Sequence, residues 1–433
     1  MKGLRHSTPS RRNQAAAFVR AVRANPTVAA VSAEGFLTRL GFSMVSFALP
    51  LYALSLGMGI AEVGLLYALR TATVIVVKPV MGWAADRFGR KRTLVAAVAL
   101  RCLIGLLFAF AGRPWHLYAL RILHGTMTAA RDPSATALIA EHGDKRKMAS
   151  AFAWNTTARE LGRSFGYGVA GLLLQATGSY RLIFLVAFFT SCAALVTVIR
   201  YVRESHEAQA RPVAEPAESP RRQRSWAPQG GLLPYATFGL MVAGSAEMMR
   251  GLFPVIATQY AHLTEGEAGL AASASSVAIL VAGPLFGWLS DNVSRKLALG
   301  ARSFANTFSS LMYIFFPTFG GFLVARMLDD TGKAAFRPTW GAILAEVSDA
   351  DPARRASTMS FIDTASTVGE GLGPLVAGLL ITGFGVPVML GVRAALAVVT
   401  EIQAVRVFKK KRPARKDHGP VIDTVLSEEK IGE

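Results

Sequence analysis

The chain has 433 residues, 52% hydrophobic and 17% charged, with a formal net charge of +19 at pH 7. Average hydropathy is positive in spite of those charges, a combination that excludes a disordered chain and sits badly with an ordinary soluble enzyme. Cys102 and Cys192 both fall inside apolar runs and read as buried thiols.

The first 25 residues are basic (Lys2, Arg5, Arg11, Arg12, Arg20, Arg23) and lack an apolar core before a small-residue site, so no cleaved signal peptide is expected. Apolar runs of about 20 residues, long enough to cross a bilayer as helix, then recur along the chain. Twelve are expected, at 28–55, 61–81, 94–112, 115–140, 150–175, 181–201, 233–258, 268–289, 298–317, 320–345, 357–382 and 387–408. This gives a cytoplasmic tail (1–27), a six-helix bundle (28–202), a linker (203–231), a second six-helix bundle (232–408) and a second tail (409–433). Pro212, Pro216, Pro220 and Pro228 among mixed charges make the linker a tether.

Lys and Arg crowd the tails, the linker and the turns at Arg87–Arg92, Lys145–Lys147, Arg295–Lys296 and Arg354–Arg355. The alternate loops, such as Gly57–Glu62 and His262–Glu267, hold almost none. By the positive-inside rule both termini and the linker are cytoplasmic. Topology thus accounts for much of the positive charge, and no folded soluble face offers a nucleic-acid site.

The second and third runs are joined by Gly82-Trp-Ala-Ala-Asp86-Arg-Phe-Gly-Arg90-Lys91. The eighth and ninth are joined by Gly287-Trp-Leu-Ser-Asp291-Asn-Val-Ser-Arg295-Lys296, at a constant offset of 205 residues. Arg121, Pro133 and Ala137–Glu141 recur at the same offset as Arg326, Pro338 and Ala342–Glu346; Val169–Leu173 recurs slightly later as Val376–Leu380. The halves are therefore duplicates over helices two to five and eight to eleven. Transporters built this way carry their site near the midplane between the repeats.

The pattern Gly-x-x-x-Asp-Arg-x-Gly-Arg-Lys in this loop of a twelve-helix chain resembles the signature of the major facilitator superfamily. The resemblance implies an all-α membrane protein of two pseudo-symmetric six-helix bundles. It would work by alternating access as a monomer in a bacterial cytoplasmic membrane, with the bilayer, a small-molecule substrate and protons as partners. In the fourth helix, Arg121-Ile-Leu-His124-Gly125 resembles the Arg-x-x-Gln-Gly motif of proton-coupled drug antiporters in that superfamily, with His124 in place of Gln. Gly162-x-x-x-Gly166 and Gly369-x-x-x-Gly373-Pro374 read as close-packing motifs, the latter resembling an antiporter motif usually found in the fifth helix.

Two equally spaced clusters, Asp86–Arg90–Glu141 and Asp291–Arg295–Glu346, are expected to act as latches holding the outward-facing state. Charges within membrane helices are costly unless they pair or line water. The expected proton-coupling residues are Glu247 first, then Asp330, with Glu34 and His124 as further candidates. Arg39, Arg121, Arg250 and Arg326 are candidates for meeting an anionic group on substrate. No Gly-x-x-x-x-Gly-Lys-Ser/Thr stretch suggests ATP, and the seven His form no metal-binding pattern, so neither cofactor nor metal is expected and no enzymatic reaction is implied. The leading expectation is proton-coupled export of a small organic solute. Uptake of an anionic metabolite or metal chelate, and a membrane sensor or assembly factor that transports nothing, remain as alternatives.

Overall fold

A computed structural model describes residues 26–142, 148–203, 232–292, 295–349 and 355–409. The expected tails and linker lie outside these residues apart from their edges, as do the basic turn at Lys145–Lys147 and Arg354. The described residues form twelve long helices: α1 (Pro26–Ser55), α2 (Ile60–Phe88), α3 (Arg90–Ala109), α4 (Pro114–His142), α5 (Met148–Thr177) and α6 (Tyr180–Tyr201), then α7 (Leu233–Arg250), α8 (Glu265–Asn292), α9 (Arg295–Phe315), α10 (Phe319–Asp349), α11 (Arg355–Phe384) and α12 (Val386–Lys409). By length and composition α1, α2, α3, α6, α11 and α12 can each cross a membrane. So can α7 together with its continuation to Tyr260, which bends by 45°. Helices α4 and α10 are long enough but carry buried charge along their length. The chain is a multi-pass integral membrane protein.

Short turns keep successive helices antiparallel. Between α2 and α3 the chain reverses on Gly89 alone, whose φ of 97° a side chain would resist; its amide donates to the Ala85 carbonyl and closes α2. That Gly belongs to the repeated motif, and it explains why the motif's loop can be so short.

Packing repeats as the sequence does. In the first half α1 packs on α5 and α6, α4 on α2 and α3, and α3 on α6. In the second half α7 packs on α11 and α12, α10 on α8 and α9, and α9 on α12. Each pair in one half is thus the other half's pair shifted by six helices. The halves meet chiefly through α5 against α8 and α2 against α11, which exchange under the same shift.

The basic turn of Gly89 and the start of α1 define one end of the molecule, called here the basic end. At the far end a single apolar core runs through both halves, from Met44, Leu49 and Phe108 to Phe253, Tyr313 and Phe322. At the basic end each half keeps its own core, around Leu94, Leu138 and Val198 in the first and Phe238, Trp340 and Ile362 in the second. The halves are therefore joined at the far end and separate at the basic end.

Small residues make the far-end junction tight. A Cβ on Gly171 of α5 would stand 2.7 Å from the Gly269 Cα of α8 and would also strike the Glu265 carbonyl. On the other crossing, a Cβ on Gly64 of α2 would strike the Pro374 carbonyl, and one on Gly378 of α11 would stand 2.7 Å from the Ile60 carbonyl. Nearer the middle the Ser164 hydroxyl donates to the Ser273 carbonyl at 2.8 Å. Helix packing without a hydrophobic drive depends on this kind of close approach.

Gly171→Leu should therefore unseat the far-end junction while leaving each half folded. Overpacking of this kind costs about 1–3 kcal/mol, enough to change the balance between states by about tenfold. In a background with Cys102 and Cys192 replaced by Ser, a cysteine at Tyr167 should become reactive to impermeant maleimide from the far side of oriented vesicles. Unchanged labelling would show that the glycine crossing does not set the closed state.

Candidate functional site

On the basic side of that seal, between the halves, lies a cavity of about 400 Å³, within the range of small-molecule sites. Helices α1, α2, α3, α4 and α5 form one wall; α7 and α11 form the other. Among its lining residues the first half contributes Arg39, Arg70, Lys78, Arg101, Arg131, Arg159 and Arg163 but only one acid, Asp132. The second half contributes Glu247, Asp363 and Glu370 with Arg250. One wall is cationic and the other carries most of the carboxylates.

Part of the cationic wall is neutralised internally. Arg131 grips Glu34 with two nitrogens, Nη2 to Oε2 at 2.5 Å and Nε to Oε1 at 3.1 Å. The Thr38 hydroxyl donates to the same carboxylate at 2.7 Å. Arg131 also reaches Asp132 at 2.8 Å, and Arg159 lies 3.5 Å from that acid. Arg163 pairs with Glu160 one turn back on α5. A bidentate pair with its remaining lone pairs engaged is the geometry in which buried charge is tolerated. Gly35 of α1 leaves room beside it: an added Cβ there would stand 3.1 Å from the Arg159 side chain and 3.6 Å from Arg131 Nη2.

On the second wall Glu247 and Arg250 pair at 2.5 Å, one turn apart. They sit just before α7 breaks at Gly251, where the chain passes through a short turn, Phe253–Val255, into a π-helical turn, Ile256–Tyr260. The face of the Tyr67 ring lies 3.2–3.3 Å from where a Gly251 Cβ would be. Breaks of this kind mark functional positions in membrane helices. A side pocket of about 230 Å³ opens beside them, lined by Glu247, Arg250, Arg302, Lys333, Phe336 and Trp340 among others.

Deeper in the second half, Asp329 is wholly buried and collects three cations: Lys333 and Arg393 at 2.7 Å and Arg302 at 3.0 Å. Asp330 shares Lys333 at 2.7 Å and has Arg326 at 3.6 Å. Arg393 continues to the Ser245 carbonyl at 3.0 Å and the Ser310 hydroxyl at 2.8 Å, tying α12 to α7 and α9.

The residues singled out from the sequence separate accordingly. Arg39 and Arg250 line the cavity, as does Glu247; Glu34 stands directly behind it, bound to Arg131. Arg121 and Arg326 do not reach it. Arg121 lies over the Tyr67 ring at 4.5 Å with its Nε on the Leu66 carbonyl, and Arg326 lies over Phe253 at 4.6 Å. Both knit helices together, which is why neither meets the cavity. Asp330 is likewise enclosed among its cations. His124 is buried with neither ring nitrogen hydrogen-bonded, edge-on to Phe42 at 5.1 Å. Of the first latch, Arg90 and Glu141 are joined while Asp86 is exposed and makes no ion pair among the described residues. Glu346 is exposed, and the side chains of Asp291 and Arg295 lie outside what the structure describes.

Sequence reasoning passed over Arg101 and Arg302, each the single charge beyond the basic first turn in the third helix of its half. An isolated Arg in an apolar run was the available signal. Among the described residues no group of His, Cys, Asp or Glu could hold a metal ion.

A membrane protein of two six-helix repeats around a central polar cavity, sealed at one end, is a secondary transporter of the alternating-access class. The Major Facilitator Superfamily profile matches residues 35–249 and 235–430, and the chain belongs to that family. It is 26% identical over 360 residues to the multi-drug resistance efflux pump PmrA of Streptococcus pneumoniae, covering 79% of this chain and 87% of that one. It is 25% identical over 363 residues to the multidrug resistance protein MdtG of Proteus mirabilis, covering 81% and 88%. A bacterial homologue of the human lysosomal transporter Spinster, solved inward-facing and unoccupied, superposes with a TM-score of 0.74 at 14% identity, covering 90% of this chain and 98% of that one. That likeness bears on the fold.

Asp329→Asn would leave Arg302, Lys333 and Arg393 without their shared counter-charge. Removing one partner of a buried ion pair costs about 3–5 kcal/mol, so the detergent-solubilised variant should melt well below the parent. Glu247→Gln, at the wetted wall, should melt close to it. Equal melting of Asp329→Asn and the parent would show that the hub is not structural.

Proposed function

We propose that this protein exports a small organic solute across a bacterial cytoplasmic membrane in exchange for protons, acting as a monomer and carrying out translocation without chemistry on its cargo. The observation that carries this reading is the cavity between two repeats that meet at one end only. Rocking the halves about the midplane would close the basic end and open the far end. The basic end is the cytoplasmic one by its charge, so the structure described here is an inward-open state, ready to load. Two relatives named as multidrug resistance proteins support the outward direction and the organic cargo.

Glu247 is the proton-coupling residue in this reading. It borders both the central cavity and the side pocket, so water and protons reach it, whereas Glu34 and Asp330 are enclosed by their cations. Protonation would release Arg250 and change the charge of the wall beside the break in α7, which gives the proton a differential grip on the two states. Asp86, Arg90 and Glu141, with Asp291, Arg295 and Glu346 in the other half, act as the inner latch when the basic ends close. Asp86 is free to cross over because it is unengaged in the open state described above.

In inside-out vesicles with an acidified lumen, the parent should accumulate cargo and Glu247→Gln should not, while cargo–cargo exchange persists in both. Accumulation by Glu247→Gln at the parent rate would assign coupling elsewhere. Asp86→Asn should favour the inward-open state, read as reduced maleimide labelling of a cysteine at Tyr167 from the outer side. Unchanged labelling and transport would remove the latch.

A further inference from the structure

Resting on the transporter reading, the cargo's chemistry is narrowed by charge that the protein leaves unbalanced. Arg39 of α1, Arg70 of α2 and Arg101 of α3 converge on one ring, that of Phe42, with guanidinium carbons 5.4, 5.8 and 5.5 Å from its centroid. All three line the cavity. None makes an ion pair among the described residues, and Arg101 Nη1 donates a long hydrogen bond to the Met127 sulfur at 3.9 Å. The nearest acids are already committed: Glu34 to Arg131, Asp132 to Arg131 and Arg159, and Glu160 to Arg163.

Cation–π contact with one phenyl ring contributes about 0.5–2 kcal/mol per pair, too little to offset three like charges drawn to one ring at the cavity wall. The other half shows what a balanced version looks like. His124, within the duplicated stretch, corresponds at the repeat's offset to Asp329, the acid that gathers three cations. At His124 the carboxylate is missing, and both ring nitrogens are buried without a partner. At the same offset Arg302 and Lys333 correspond to Ala97 and Thr128, so the cations of the first half, Arg39, Arg70 and Arg101, are its own, and no acid stands at the matching position to gather them.

We propose that the cargo supplies that anion: Arg39, Arg70 and Arg101 form an oxyanion seat for a carboxylate, sulfonate or phosphate group, with Phe42 set against the cargo's apolar or aromatic body. The planar guanidinium fork can donate two parallel hydrogen bonds to a pair of oxygens on any of these groups. Loading the cargo would then neutralise the three charges and draw α1, α2 and α3 around it, whereas in the empty cavity only water screens them. The acids of the opposite wall discourage a cargo that is anionic at both ends, so one anionic group on an otherwise neutral or cationic body is the class that fits.

The test uses the purified full chain and three shape-matched probes: naphthoate, neutral naphthamide and cationic naphthylmethylammonium. Naphthoate should raise the melting temperature and should do so less as salt rises; naphthamide should not. Arg39→Gln, Arg70→Gln and Arg101→Gln should each weaken naphthoate binding by about tenfold or more, the loss of a charge-assisted hydrogen bond. Arg181→Gln, whose side chain lies over Phe110 away from the cavity, should leave it unchanged. Because Arg101→Gln could disturb folding, Arg101→Lys serves as its partner, and partial retention of binding there is expected. Equal stabilisation by naphthoate and naphthamide, or undiminished naphthoate affinity in Arg39→Gln/Arg70→Gln, would overturn the seat. Mixed micelles containing phosphatidylglycerol examine a lipid headgroup as the source; stabilisation by them that matches naphthoate and vanishes in the same variants would overturn the assignment to cargo. Transport separates this inference from the export reading. Naphthoate binding without pH-driven movement in vesicles would uphold the seat and overturn export, while pH-driven movement of ethidium without naphthoate binding would do the reverse.

Discussion

A charge placed inside a membrane helix must be neutralised by a partner or kept in contact with water, and the architecture of both halves follows from how each meets that demand. In the second half the demand is met internally. Asp329 holds Arg302, Lys333 and Arg393, and through Arg393 and its serine partners α7, α9, α10 and α12 become one unit. In the first half, Glu34 and Arg131 join α1 to α4 in the same manner, but Arg39, Arg70 and Arg101 are left to the cavity. Rigid bundles and a wet, charged space between them are thus two outcomes of a single constraint. A rocking transporter requires both, since the halves have to move as bodies around a site that stays hydrated.

Glycine supplies the complementary mechanical element. Within each half it brings helices close enough for backbone to touch backbone, as at Gly162 and Gly166 on α1 or Gly369 and Gly373 on α7. Between the halves it does the same at the far end, where Gly171, Gly269, Gly64 and Gly378 lie at the two crossings. Such contacts involve little side-chain interdigitation, so they can part and re-form without repacking a core. The far-end core that spans both halves is therefore divided along smooth seams, whereas the separate basic-end cores belong to single bundles.

Several residues show where sequence reasoning succeeded and where it stopped. Arg121 and Arg326 recur at the repeat offset within membrane helices, which marks them as important; the structure turns both onto aromatic rings, away from the cavity. The helical period tells which residues share a face, but not which neighbour that face meets. Arg101 escaped notice because it stands alone in the apolar run that follows the basic first turn of α3, and only the arrangement of α1 to α3 reveals that it joins Arg39 and Arg70 at one phenyl ring. Asp329 and Asp330 are adjacent in sequence and on one helix, and two of the four cations around them, Arg326 and Lys333, lie within four residues; Arg302 of α9 and Arg393 of α12 come from other helices and complete the hub.

By itself the sequence determined the number and order of the membrane helices, their duplication and the basic end, because hydrophobic length, repeat spacing and Lys/Arg placement are local properties of the chain. Only the tertiary structure decided which end is sealed and which charges are balanced. Those depend on where helices distant in sequence come to lie against one another. A glycine crossing or an unpaired guanidinium exists only once two helices have been brought together or kept apart.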